Sequence, residues 1–253
     1  MKDFECVSDQ HHEGIKKCFE KAAPHYENYA VVQKRTGKLL VKALLEVKTP
    51  HKEVLDLGCG DGTTTLESCR AFDEIQTIHV NDFCSMFLEK ALSRLRDFNP
   101  QGFLYNFDHE WTLESLYDLI FSNMAFQWSL DIDSLFVQSA SHLKQGGFLG
   151  FTLPLKGTFA ELDPHSVNRF HTFCSISESA VKTGFRRLYA RQYTIPQKFK
   201  TYSDALKSIK GCGAHYIFHE NKRQTMMNRT ELYRPVSLTY QIGVFVFKKE
   251  LSL

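Results

Sequence analysis

Val54-Leu55-Asp56-Leu57-Gly58-Cys59-Gly60-Asp61-Gly62 has the pattern of a buried strand that breaks into a tight turn. Apolar residues interleaved with one acid give the strand, and three glycines in five positions give the turn. A helix is expected immediately afterwards, with Thr63, Thr64 and Thr65 placed to cap its first turn. Gly58 and Gly60 let the backbone approach a ligand where a Cβ would block it, and they tolerate positive φ. A dinucleotide fingerprint, G-x-G-x-x-G, needs a third glycine at position 63, but Thr63 stands there and the glycine is Gly62. Asp56, two residues before the first glycine, suits a ligand with a cationic amino group better than a pyrophosphate.

Downstream, residues 75–80 read as a second strand ending at Asn81-Asp82. In nucleotide-binding α/β folds an acid roughly 20 residues beyond the glycines grips ribose hydroxyls, a role that falls to Asp82. Phe83 is placed to cover an adenine, and Ser85 to cap the next helix. The loop with its second acid resembles the cofactor site of the class I S-adenosylmethionine (SAM) methyltransferases. That resemblance implies that Asp56, Gly58, Cys59, Gly60, Asp82 and Phe83 bind cofactor. It also implies that an acid after the third strand, predicted over 102–107, accepts the adenine amino hydrogens: Asp108, with the peptide N–H of His109 donating to the ring. Residues 117–123 read as a fourth strand that delivers Asn123, a further cofactor-binding candidate, and Met124-Ala125-Phe126-Gln127-Trp128 to the carboxyl end of the sheet, where open α/β folds bind ligands. A helix over 131–144, Gly146-Gly147 and a strand over 148–153 complete a fifth repeat. The expected fold is α/β: a doubly wound, mostly parallel seven-stranded sheet.

Of 253 residues, 43% are hydrophobic and 24% charged, as in an ordinary globular protein. The seven cysteines, with no C-x-x-C pair, fit free thiols in a reducing cytoplasm rather than a zinc or disulfide framework. The N-terminus has no apolar signal region, and no run of apolar residues is long enough to span a membrane. His11-His12-Glu13 lacks H-E-x-x-H spacing, and no metal site is expected. Residues 1–150 carry 15 basic against 22 acidic side chains, whereas residues 151–253 carry 16 against 7. An acidic partner for the C-terminal half follows. The basic residues are scattered and carry no nucleic-acid module; an acidic protein fits them as well, and most of them read as solvated surface charge.

The N-terminal segment, 1–48, reads as helical, with amphipathic stretches over 15–21 and 31–47 separated by a loop that holds Tyr26. Residues 186–195 and 238–248 read as a final antiparallel pair of strands, the first ending at Pro196. A short helix is expected over 202–209 and another over 225–233. A single domain over 1–253 is therefore expected, with lid or substrate-binding insertions over 155–184 and 196–237.

The distinctive pieces are Phe19-Glu20-Lys21-Ala22-Ala23-Pro24-His25-Tyr26 with Gln33, Ser122-Asn123-Met124-Ala125-Phe126-Gln127-Trp128, Gly157-Thr158-Phe159-Ala160-Glu161-Leu162 and Val167-Asn168-Arg169-Phe170. To these are added Ser208-Ile209-Lys210-Gly211-Cys212-Gly213-Ala214 and Leu238-Thr239-Tyr240. In this order the chain resembles, nearly end to end, the BioC family of malonyl-[acyl-carrier-protein] O-methyltransferases of biotin synthesis. The chain departs from the family at Asp163-Pro164, where the family has a longer helical stretch. The resemblance implies methyl transfer from SAM to the free carboxylate of a malonyl thioester, with S-adenosylhomocysteine as product. It implies an acidic acyl carrier protein as partner, malonyl-CoA being a second form of the thioester. Arg169 is the candidate for reading that carboxylate, since a guanidinium fork matches it bidentately. Gln127 and Trp128 would line the thioester end, and Tyr26 would close over the methyl donor, completing the catalytic set with Arg169. A small-molecule methyltransferase acting on a quinone, phenol or free carboxylic acid, and a non-catalytic SAM-binding scaffold, are the alternatives.

Overall fold

A computed structural model describes residues 2–218 and 233–250, with side chains from residue 9 onward. The chain begins with α1 (Lys2–Ala22), the single-turn α2 (Tyr26–Tyr29) and α3 (Val31–Glu46). It then alternates β1 (Glu53–Leu57), α4 (Thr63–Ala71), β2 (Thr77–Asp82), α5 (Ser85–Arg94), β3 (Gln101–Leu104), β4 (Tyr117–Asn123), α6 (Ile132–His142) and β5 (Leu143–Pro154). α7 (Phe173–Lys182), β6 (Phe185–Phe199), α8 (Tyr202–Gly211) and β7 (Val236–Lys249) follow. The helix expected over 225–233 lies, except for Tyr233, outside the described residues.

One seven-stranded sheet has the order β3-β2-β1-β4-β5-β7-β6. The first five strands pair in parallel, with Asp56 of β1 opposite Val80 on one side and Phe121 on the other. β7 runs against both of its neighbours, β5 and β6: Leu155 N donates to Gln241 O and Phe159 N to Thr239 O. Glu250 N donates to Gly184 O while Thr194 and Gln241 side chains meet further on, so partner numbers fall as chain numbers rise. The reversal of strand order falls between β1 and β4, and ligands of open α/β sheets bind at the carboxyl ends of such a pair.

Several local expectations are corrected. β3 stops at Leu104 instead of reaching residue 107, and β6 runs on through Pro196 to Phe199. As the last strand of the sheet, β6 has an edge on which a missing N–H breaks no ladder bond. α7 was not expected; its capping box joins Thr172 to Ser175, and the helix buries Ile176, Ser177 and Ala180. Ser85 does not cap α5: Cys84 is the N-cap residue, and its N–H is taken by Asp82.

The chain forms two compact units. One comprises Met1–Val31, Pro154–His171 and Tyr193–Ile242; the other comprises Val32–Leu153, Thr172–Gln192 and Gly243–Leu253. The 155–184 segment expected as an insertion thus divides, and α7 belongs with the second unit.

The second unit has two apolar layers. On one side Phe126, Phe136, Phe151, Phe245 and Phe247 interlock, with ring centroids 5.2–6.5 Å apart. Such aromatic pairs contribute roughly 0.5–1.5 kcal/mol each beyond their buried area. Cys59, Ile78, Val80, Leu88, Ala91 and Leu95 form another cluster. Gly150 of β5 lets α3 approach, since a Cβ there would lie 2.7 Å from Leu44. In the first unit, α8 packs on α1 and α2: a Cβ at Gly211 would stand 2.3 Å from the Tyr29 ring, and one at Gly213 would stand 2.5 Å from the Phe19 ring.

Candidate functional site

The glycine turn leaves β1 with Gly58, Gly60 and Gly62 all at positive φ, at 69°, 55° and 75°. Their reasons differ. A Cβ on Gly58 would lie 2.4 Å from the Ala125 Cβ, so this glycine lets the segment after β4 close on the turn rather than admitting a ligand. Gly62 abuts Ala91 and stands at the N-terminus of α4. Gly60 alone faces open space, with no atom within 4 Å of where its Cβ would be. It is the glycine over which a ligand has room.

The three threonines do not cap α4. Asp61 accepts from Thr63 N at 3.1 Å, and Asp61 is itself 3.3 Å from the Arg94 guanidinium. The hydroxyl of Thr63 accepts from Arg94, that of Thr64 from Asn123, and that of Thr65 donates to Asp56 at 2.6 Å. Each threonine on this first turn is therefore committed to a different neighbour.

Asp56 is 1% exposed. One carboxylate oxygen holds Thr65; the other, Oδ1, is buried with no hydrogen-bond partner among the described residues. Burial pushes its carboxyl up to about 7, against the Thr65 hydrogen bond and with help from the Asp82 charge. An unsatisfied buried carboxylate oxygen is costly in an apolar setting, and a cationic donor there would remove that cost. The residues present therefore fit the amino group of the methyl donor.

Asp82 acts first as a latch. Its Oδ2 accepts from Gly60 N and its Oδ1 from Cys84 N, both at 2.9 Å, so the end of β2 holds the tip of the glycine turn. Burial raises its carboxyl to about 6, although these backbone bonds oppose the shift. Each oxygen retains a lone pair for a ribose hydroxyl. Phe83 is half-buried beside it. Cys59 packs its side chain into the apolar cluster, and its N–H donates to Asn81 O at 2.8 Å. Burial lifts its thiol well above the ordinary range.

Asn123 departs from its expected role. Its Oδ1 accepts from the hydroxyls of Thr36 (2.8 Å) and Thr152 (2.7 Å), and its Nδ2 donates to Gln33 O and Thr64 Oγ1, both at 2.9 Å. A carboxamide offers two donors and two acceptor positions. All four are taken, so Asn123 braces α3, α4, β4 and β5 together and has none left for a cofactor. Thr36, Thr64 and Thr152 are the residues that sequence reasoning missed. Thr152 had a signal: a lone hydroxyl in the apolar run Phe148-Leu149-Gly150-Phe151-Thr152-Leu153 requires a partner. Next to this brace, Met124 adopts φ 56° with its N–H held by Thr152. Gln127 donates through Nε2 to Met124 O at 2.7 Å, leaving its Oε1 buried and without a partner among the described residues. Trp128 is buried.

Asp108 accepts from Ser129 Oγ at 2.5 Å and from Leu130 N at 2.9 Å, tying the turn after β3 to the turn after β4. The His109 N–H, expected on the adenine ring, donates instead to Asn106 O at 3.0 Å, closing its own turn. These residues, from Asp56 to Trp128, belong to the second unit. Tyr26 and Arg169 belong to the first. Tyr26 opens α2 and is half-buried; Arg169 is exposed on the irregular stretch before α7. That stretch is pinned by its neighbour Asn168, which donates to Tyr216 O at 2.7 Å and accepts from Phe218 N at 3.0 Å. His11 of α1 is 2.7 Å from the Tyr216 hydroxyl, so α1, the 216–218 stretch and the segment before Arg169 are linked in series.

Residues 30–234 match a family profile described as a methyltransferase domain. The chain is 35% identical to malonyl-[acyl-carrier protein] O-methyltransferase 2 of Coxiella burnetii, covering 93% of this chain and 95% of that one. It is 27% identical to the malonyl-[acyl-carrier protein] O-methyltransferase of Hahella chejuensis, covering 93% and 90%. Among solved structures, an S-adenosylmethionine-dependent methyltransferase from Clostridium acetobutylicum superposes with a TM-score of 0.59 at 13% identity, covering 92% of this chain and all of that one. Magnesium protoporphyrin IX methyltransferase from Synechocystis, solved with bound S-adenosylhomocysteine, gives 0.58 at 12% identity, covering 88% and 86%. At these identities the structures share the fold: α/β, Rossmann-like, of class I SAM methyltransferases.

Proposed function

The chain belongs to the malonyl-[acyl-carrier protein] O-methyltransferase family, and from that premise we propose that it methylates the free carboxylate of a malonyl thioester carried on acyl carrier protein, at the start of biotin synthesis. The observation that carries the donor half of this reading is Oδ1 of Asp56, buried on the strand that leads into the glycine turn and without a hydrogen-bond partner among the described residues. SAM brings both a cationic amino group, for which that oxygen is the natural acceptor, and an electrophilic methyl on a sulfonium. Asp82 holds the turn and offers its remaining lone pairs to the ribose. Phe83 and Asp108 serve the adenine.

On the acceptor side, a carboxylate with a reference pKa near 4 is already ionised at neutral pH, so no residue need remove a proton. No metal is required either, because the nucleophile carries its own charge. The protein's contribution is placement, which can supply much of the rate when reacting atoms are held roughly 3–3.5 Å apart. Arg169 reads the malonyl carboxylate with its two-pronged fork. A tight ion pair damps a nucleophile, so Arg169 selects and orients rather than activates. Gln127, through its spare Oε1, and Trp128 line the thioester end, and Tyr26 closes over the donor. Both the carrier protein, which this family uses in an acidic form, and malonyl-CoA present the same reacting group. We place the enzyme in the cytoplasm, the compartment that suits its seven unpatterned cysteines.

The experiment is a side-by-side assay of methyl transfer from SAM to malonyl-carrier protein, malonyl-CoA, free malonate and a small phenol. The reading expects the carrier thioester to have the highest kcat/KM. Equal or better turnover of free malonate or the phenol would replace it with a small-molecule activity, and no transfer to any acceptor would point to a binding scaffold.

A further inference from the structure

The basic C-terminal half is not uniformly available to a partner. In the second unit, Arg186 lies 3.4 Å from Glu250 and Arg191 3.3 Å from Glu46, so these cations already face carboxylates. α8 of the first unit is different. Its inner side buries Ala205, Ser208 and Ile209, and Gly211 at its end is closed against Tyr29 of α2. Its outer side carries Leu206, Lys207 and Lys210, one helical stripe at spacings of one, three and four. Leu206 is 42% exposed. Tyr202 N donates to Arg234 O at 3.0 Å, which sets the backbone of Arg234, preceded by the 72%-exposed Tyr233, at the start of the same helix. Lys200, exposed, stands just ahead of it. Among the described residues the acids at this patch are Asp163, whose charge acts on Tyr202 at the helix start, and Asp204, 3.8 Å from Lys207 in a pair whose side chains are both largely exposed, a contact of little energetic weight.

We propose that this patch, with Leu206 and Tyr233 as apolar anchors among Lys200, Lys207, Lys210 and Arg234, is the docking surface for the acidic face of the acyl carrier protein. The inference rests on the carrier-dependent activity proposed above and gives that partner a place. Charge complementarity chooses the occupant: two exposed apolar side chains framed by four cations match an acidic, partly apolar protein surface. The surface is also well connected. The inner side of α8 packs on α2, and Arg169, the candidate reader of the malonyl carboxylate, lies in the same unit, so a carrier held on α8 engages the unit that bears Arg169.

The test uses the full chain with the double variant Lys207→Glu/Lys210→Glu and, separately, Leu206→Ala. Acceptors are malonyl-carrier protein and malonyl-pantetheine, which keeps the thioester but has neither protein nor phosphate. For the double variant, kcat/KM with the carrier should fall roughly tenfold or more, chiefly through KM, and lose much of its salt dependence. Turnover of malonyl-pantetheine should be unchanged, which also reports a folded enzyme. A carrier with acidic residues changed to lysine should recover activity with the double variant. Wild-type carrier kinetics in both variants, or an equal loss on both acceptors, would overturn the surface while leaving the activity intact. A wild-type enzyme inactive on both acceptors would instead overturn the activity on which the surface rests.

Discussion

Asp56→Asn should make the unliganded protein more stable and a poorer binder of SAM. The Asp56 carboxyl is raised from 3.8 to about 7 by burial, so the folded chain holds this proton far more tightly than the unfolded chain does. Stability from this group is therefore present at low pH, declines as pH rises from about 4 to 7, and stays low above that. At roughly 1.4 kcal/mol per pH unit, ionising it in the fold costs on the order of 4 kcal/mol, a ceiling because Thr65 and solvent relaxation offset part of it. Asparagine keeps an oxygen for the Thr65 hydroxyl but leaves its buried NH2 without an acceptor, a loss of about 1–3 kcal/mol. The net gain at pH 8 is about 1–3 kcal/mol, or a rise of about 2–12 °C in Tm for a chain of this size. At pH 5, where the wild-type carboxyl is protonated, the gain should vanish. Against SAM the variant loses a charged hydrogen-bond acceptor worth about 1.5–3 kcal/mol, roughly ten- to hundredfold in Kd. Thermal unfolding at the two pH values, paired with calorimetry of SAM binding, measures both sides. An unchanged Tm at pH 8 together with undiminished SAM affinity would refute the reasoning.

Asp82→Asn should weaken SAM by about 1.5–3 kcal/mol and also loosen the glycine turn, because the Gly60 and Cys84 amides lose a charged acceptor; calorimetry and amide exchange at Gly60 read the two effects. Arg169→Lys keeps the charge but loses the fork, so kcat/KM for malonyl thioester should fall at least tenfold in steady-state assays while SAM affinity, by calorimetry, stays at the wild-type value. Asn123→Ala removes a partner from the Thr64 and Thr152 hydroxyls, while the Thr36 hydroxyl and Gln33 O keep each other, and chemical denaturation should report a loss of about 1–3 kcal/mol with the protein still able to fold.

The strand–turn–helix around Asp56 and the second acid at Asp82 were legible because their signals are local: a buried run, glycines at fixed spacing, an acid in register. The roles of individual side chains were not, because their partners are remote. Thr36 and Asn123 meet across 87 positions, and Ser122 reaches Leu57 O across 65. Nothing along the chain distinguishes Gly58, closed by Ala125, from Gly60, which is open; that difference is set by where the segment after β4 returns. α7 was missed because Phe173-Cys174-Ser175-Ile176-Ser177-Glu178-Ser179 mixes weak helix formers with β-branched and aromatic residues, and packing rather than propensity makes it helical. Pro196 read as a stop, yet an edge strand passes through it without loss.

The central claim is that the methyl group goes to a carboxylate oxygen of a carrier-bound malonyl group. The most direct measurement uses SAM labelled in its methyl group, with malonyl-carrier protein as acceptor and mild alkaline hydrolysis of the isolated carrier. A methyl ester releases the label as volatile methanol, and that is the predicted result. Label that stays on the carrier or its acyl group after hydrolysis, as a methyl on carbon or nitrogen would, contradicts the account.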